Sequence, residues 1–183
     1  MTNYPIVGGY ELPINVNGPY LDSVDLLMDC GITPRSMDQI LTGQLEAISS
    51  GNPSQRAYWL RRDFDSSDCV IFIDDLAIFG DVADWFDLIG EFRSDSGLDL
   101  REAKHEFVGN PYHRADLQES FLGHPLLPTE LKDHPVIKSL YGDTQRLFDY
   151  LNGMYDMGIL EPTITINIDL NAINPRDPCP VYA

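Results

Sequence analysis

Between Asp63 and Glu102 the chain places twelve carboxylates against two arginines, Arg93 and Arg101, so ten of its seventeen net negative charges fall in forty residues. They surround two apolar runs, CVIFI at 69–73 and WFDLIGEF at 85–92. Apolar runs must be buried and unpaired carboxylates must not. This stretch therefore has to fold with its two kinds of residue on opposite sides of each element. Acid at this density must hold a cation or face a cationic partner.

A chain of 183 residues is expected to form one domain, with 1–19 as an extended arm and 20–183 as a single globular unit. The hydrophobic fraction of 43% allows a sizeable core and argues against intrinsic disorder. The formal charge of −17 repels nucleic acid and anionic membrane and attracts basic proteins and divalent cations. Solubility alone is the competing explanation, since acidic residues confer it well. The three cysteines, Cys30, Cys69 and Cys179, are odd in number and form no CxxC pair, which favours a reducing compartment. No secretory signal or bilayer-length apolar run is visible, so a cytoplasmic location and no membrane partner are expected.

Tyr4, Tyr10 and Leu12 alternate with Pro5, Pro13 and Pro19 in the arm, a pattern of extended chain or short edge strands. From Tyr20 to Cys30 the spacing of Leu21, Val24 and Met28 is helical, with Gly31 as the stop. Thr33-Pro34 reads as an N-cap and first residue of a second helix ending near Ser50-Gly51. Asn52-Pro53-Ser54 reads as a turn before a short helix over 55–62. This is the basic part of the chain, with four arginines from Arg35 to Arg62 against Asp38 and Glu46. A helix-turn-helix reading as a DNA binder is rejected, because the field of the whole chain opposes phosphate. Pairing with the acidic belt or packing along the core is the expected use of these arginines.

Cys69–Ile73 is the best buried-strand candidate, and Asp81–Phe92 the best helix. On that helix Val82, Trp85, Phe86 and Ile89 gather on one side, and Asp81, Asp84, Asp87 and Glu91 on the other. Trp59 and Trp85 are assigned to the core. Further expected elements are short helices at Ala115–Phe121, Val136–Tyr141 and Thr144–Met157, the last stopped by Gly158. A half-buried strand is expected where Ile164, Ile166, Ile168 and Leu170 alternate with polar residues. The closing NPRDPCPVYA is read as unable to continue either kind of element. The fold class is α+β: several short helices packed on a small, mainly antiparallel sheet.

Four constellations carry chemistry. Carboxylates three or four residues apart on a helix lie about 5–6 Å from one another, approaching the charge spacing of a DNA strand. Asp81, Asp84, Asp87 and Glu91 make one such track, and Asp22, Asp25 and Asp29 a second. In CVIFIDDLAIFG, Asp74 and Asp75 end a strand where magnesium is often held. The run resembles a Walker B strand, but no GxxxxGK[ST] loop accompanies it. It also resembles the aspartate-pair turn of reverse transcriptases, which implies a hairpin of two hydrophobic strands with Asp74 and Asp75 at its tip; no remaining palm or basic template channel is evident. Asp63, Asp65 and Asp68 suggest a small calcium loop without the spacing of the twelve-residue pattern. His105, His113, His124 and His134 show no metal-ligand spacing, and no nucleophile motif is present.

The preferred reading is a non-enzymatic inhibitor or decoy. Its acidic faces would occupy a basic site, of the nucleic-acid-binding kind, on a partner protein, with no direct nucleic-acid contact and no cofactor. In composition it looks like the acidic anti-defence proteins of phages and mobile elements, or immunity proteins. Alternatives are a magnesium-dependent phosphoryl-transfer enzyme using Asp74 and Asp75, and a virion or assembly component.

Overall fold

The computed structural model describes residues 6–7, 10–11, 20–60, 65–73, 75–94, 97–98, 110–113, 128–132, 134–159, 162 and 179–182. Within them the chain is α+β. In order the elements are β1 (Ile6–Val7), β2 (Tyr10–Glu11), α1 (Tyr20–Asp29), α2 (Met37–Ser50), α3 (Pro53–Trp59), β3 (Asp65–Ile73), β4 (Leu76–Asp81) and α4 (Val82–Phe92). There follow β5 (Arg93–Ser94), β6 (Gly97–Leu98), β7 (Asn110–His113), α5 (Pro128–Leu131), α6 (Pro135–Tyr141), α7 (Thr144–Asp156) and β8 (Cys179–Tyr182). The segments expected to form a helix at 115–121 and a strand at 164–170 lie outside the described residues.

The main sheet has the order β7-β4-β3-β8, antiparallel throughout, and β1–β2 and β5–β6 form two-stranded pairs. Central to it is the β3–β4 hairpin, in register from Asp68 opposite Asp81 to Ile73 opposite Leu76. Side chains alternate between faces along a strand. Val70, Ala77 and Phe79 join one hydrophobic cluster with Met37, Ile40, Leu41 and Ala47 of α2, Trp59 of α3, and residues of α5, α6 and α7. The intervening Cys69, Ile71 and Ile78 are buried on the opposite face, beside Val82 and Trp85 of α4. Helices on both faces explain why 69–73 is apolar without alternation.

Of the two outer strands, the C-terminal one corrects the sequence reading and the other is not anticipated by it. Cys179–Tyr182 is strand β8, with Pro180 opposite Cys69, and β7 sets Pro111 opposite Ile78. Proline cannot donate into a ladder, so it is tolerated where one side of the strand has no partner. β3 also begins earlier than expected, at Asp65, which puts Asp65 and Asp68 of the candidate calcium loop into the sheet.

Helix boundaries follow local hydrogen-bond chemistry. Gly31, at φ 71°, ends α1, with its N–H bonded to the Met28 carbonyl and that of Ile32 bonded to Leu27. Gly158 ends α7 by the same pair of bonds, to Tyr155 and Met154. The N-cap of α2 is Ser36 instead of Thr33. Its hydroxyl accepts from the Gln39 amide while the Gln39 side chain accepts from the Ser36 amide. This reciprocal box satisfies two donors, which Thr33-Pro34 could not do, so the helix starts three residues later. For α3, Asn52 accepts from the Ser54 and Gln55 amides and Pro53 takes the first helical position, so the expected turn is the cap itself.

Both tryptophans are buried against glycines. A Cβ on Gly43 of α2 would lie 2.6 Å from the Trp59 ring, and one on Gly80 of β4 would lie 2.1 Å from the Trp85 ring. Gly80→Ala should therefore lower stability by about 2–3 kcal/mol through overpacking. Gly43→Ala should cost less, because alanine regains about 1 kcal/mol of helix propensity. Urea unfolding of the two variants checks the order, and equal, negligible effects would contradict the packing described.

Candidate functional site

The two acidic tracks occupy different situations. On α1, Val24 is buried while Asp22, Asp25 and Asp29 are all exposed. The helix turns Val24 inward and leaves its carboxylates in water, together with Leu26. On α4, Val82 and Trp85 are buried and Asp84 and Asp87 exposed, as the 3.6-residue period requires. Glu91 lies in the last turn of α4, one turn beyond Asp87, and its side chain is outside the described residues.

Asp81 differs from the other members of its track. It is the last residue of β4, not part of the helix, and its carboxylate accepts from the Ala83 amide at 2.8 Å and from the Ser67 hydroxyl at 2.7 Å. An aspartate before a helix satisfies an amide that otherwise has no partner. Asp81 thus starts α4, and the exposed track on this helix begins at Asp84.

Three arginines, Arg35, Arg56 and Arg146, are turned to internal tasks. Arg146 of α7 donates to the Asp38 carboxylate and the Thr42 hydroxyl of α2. Arg56 donates to the Ile48 carbonyl at 2.6 Å and the Ala47 carbonyl at 3.4 Å, near the C-terminal end of α2. There a cation complements the negative end of the helix dipole. Arg35 stacks over the Trp59 ring at 5.7 Å from its centroid. Of the four arginines from Arg35 to Arg62, Arg35 packs on the buried Trp59 as expected, Arg56 instead binds the carbonyls ending α2, and Arg61 and Arg62 lie outside the described residues.

A third acidic group emerges only in three dimensions. Ser66 and Ser67 of β3 are buried, and the Ser67 amide donates to the Arg35 carbonyl at 2.7 Å. The next residue, Asp68, accepts from the Met37 amide, the first N–H of α2. Burial pushes the Asp68 carboxyl up to about 7, the charges of Asp81 and Asp38 push the same way, and the Met37 hydrogen bond opposes them. Burial also raises the Tyr141 and Tyr150 hydroxyls and lowers the His134 imidazole. The sequence reading attached Asp68 to a calcium loop and gave Asp38 no role. The one local hint was a serine pair inside a strand, where buried hydroxyls demand polar partners.

Asp75 is exposed in the connection between β3 and β4, and Asp74 lies outside the described residues. Among the described residues no three of His, Cys, Asp and Glu are grouped as a metal site. No helix among them is long and apolar enough to cross a membrane. No protein-family model, curated protein or solved structure matches the chain.

The division between structural and outward carboxylates has a direct consequence. Asp81→Ala should cost about 1–2 kcal/mol through the lost cap and the orphaned Ser67 hydroxyl. Asp84→Ala and Asp87→Ala should stay within about 0.5 kcal/mol of the parent. Chemical denaturation of the three single variants measures this difference.

Proposed function

We propose that the protein is an acidic, non-enzymatic binding protein that acts as an inhibitor or decoy of a basic partner protein. The partner's cationic groove is of the kind that holds a nucleic-acid backbone. One observation carries the reading: Arg35, Arg56 and Arg146 are engaged by internal acceptors or by Trp59, while Asp22, Asp25, Asp29, Asp84 and Asp87 are exposed and outnumber the exposed Lys132 and Lys138. A predominantly negative surface of this kind accelerates encounter with a cationic surface and repels phosphate. On each helix the exposed carboxylates recur at three- or four-residue spacing, about 5–6 Å apart, a spacing that a row of lysines and arginines built for phosphates can meet.

The test is capture of basic proteins from lysate at low and high salt, followed by kinetics with the captured partner. Association should fall steeply with ionic strength, and reversing Asp84, Asp87 and Glu91 to lysine should slow it by roughly tenfold or more. Binding that ignores salt, or is untouched by reversals on both helices, would overturn the reading.

The β3–β4 register supports a second reading. Ile73 lies opposite Leu76, so Asp74 and Asp75 span the connection of a hydrophobic hairpin. That is the arrangement which the likeness to the reverse-transcriptase turn implies, with the aspartates holding magnesium for phosphoryl transfer. Calorimetry with Mg²⁺ or Mn²⁺ on the parent and on the Asp74→Asn, Asp75→Asn double variant decides it. Millimolar binding lost in the variant favours this reading, and no binding by the parent removes it.

A further inference from the structure

Where β3 meets the first turns of α2 and α4, three aspartates share one partly buried space. Asp68 and Asp81 are directly opposed across the β3–β4 ladder, a position in which like charges repel. Asp38, in the first turn of α2, adds a third negative charge acting on Asp68. The other groups facing this space, among the described residues, are Tyr141 of α6, on which the Asp68 charge acts, and Tyr150 of α7, which also acts on Tyr141. Both hydroxyls are held neutral by burial. Arg146 of α7 is the cation that enters, and it is engaged by Asp38 and Thr42. Closely spaced carboxylates short of countercharge do not all ionise together.

The same contacts are mechanical ties. Asp68 joins β3 to the first amide of α2. Ser67 joins β3 to Asp81, whose other oxygen starts α4. Two neighbouring residues of one strand thus hold the N-terminal ends of two helices.

We propose that this junction is a proton-operated latch, closed while Asp68 retains a proton and opening as that proton is lost. Asp68 is the holder because the other two carboxylates have stronger partners: Asp38 has the Arg146 guanidinium, and Asp81 has a hydroxyl and an amide. When Asp68 ionises, a negative charge stands partly buried beside two others. Separating β3 from the first turn of α2 lets water reach it. The open form binds fewer protons than the closed form between the ordinary carboxylate value of 3.8 and about 7. Opening therefore becomes easier as pH rises through that window and levels off above it, and global stability falls over the same range. The latch rests on the geometry of the junction and is independent of any partner.

Its test is NMR on the intact protein, following the Asp68 carboxyl titration and the exchange of the Met37, Asp38, Gln39 and Ile40 amides from pH 5 to 8. The Asp68 midpoint should lie near 7. After correction for intrinsic exchange, the opening constant of these amides should rise by up to roughly tenfold per pH unit between pH 5 and 7. In Asp68→Asn that extra pH dependence should vanish, a result that simple loss of a hydrogen bond would not produce. Should that variant fail to fold, Asp38→Asn serves instead: with one charge removed and Arg146 released, the Asp68 midpoint and the opening window should move to lower pH together. A midpoint below 5 in the parent, equal pH dependence with and without the Asp68 carboxyl, or an Asp68 midpoint unmoved in Asp38→Asn would overturn the latch.

Discussion

The β3–β4 hairpin is buried on both faces, and this burial dictates the placement of nearly every other group. Val70, Ala77 and Phe79 need cover from one side, and Cys69, Ile71 and Ile78 from the other. Helices α2, α3, α6 and α7 cover the first face and α4 the second. Each covering helix can bury only one stripe, so its polar residues are forced outward. Exposure of the aspartates on α4 is in that sense a by-product of core formation. Their number and their single sign are not, because packing is indifferent to whether an outward residue is aspartate or lysine.

Close packing at two points brings α3 onto α2 and α4 onto β4. Trp59 lies on Gly43 and Trp85 on Gly80, so the largest side chains of the core rest on backbone. On the α4 side this brings the helix start against the end of β4, where Asp81 serves strand and helix at once. On the α2 side the first amide of the helix reaches Asp68. The polar junction is therefore built where the hairpin meets two helix starts, which is why Asp68 is drawn largely out of water despite repulsion from Asp81 and Asp38. Hydrogen bonds from Ser67, Met37 and Ala83 offset part of that cost.

Features set by local chemistry were legible in the sequence, and features set by distant contacts were not. Gly31 and Gly158 announced the ends of α1 and α7, and the apolar spacing of Val82, Trp85 and Phe86 announced α4. The burial of Cys69, Trp59 and Trp85 followed from residue type and neighbours. One local feature differs: the sequence reading places the cap of α2 at Thr33, whereas Ser36 and Gln39, three residues apart, form the capping box. The strand at 179–182 was illegible because its prolines forbid a central strand, while an edge position depends on a neighbour over a hundred residues away. Asp38, Asp68, Asp81 and Arg146 are scattered across the chain, and only the packing of α2 and α7 beside the hairpin gathers them.

The way charge is spent along the helices bears on why the surface is acidic. Carboxylates stabilise the first turn of a helix and destabilise the last, where the backbone already presents negative carbonyl ends. Asp22 of α1 and Asp84 of α4 sit in first turns and are favourable there. Asp29, Glu91 and Asp156 sit at the opposite ends of α1, α4 and α7, and none of these helices has a basic residue in its last turn. A surface selected for solubility could have kept its first-turn acids and placed lysines at the other ends, gaining both helix stability and mixed charge. The chain instead accepts unfavourable helix ends, added to repulsion between neighbours on each face. Arg56 and Lys138 do occupy the last turns of α3 and α6, so the negative ends are particular to α1, α4 and α7, and on α1 and α4 they belong to the tracks proposed for binding.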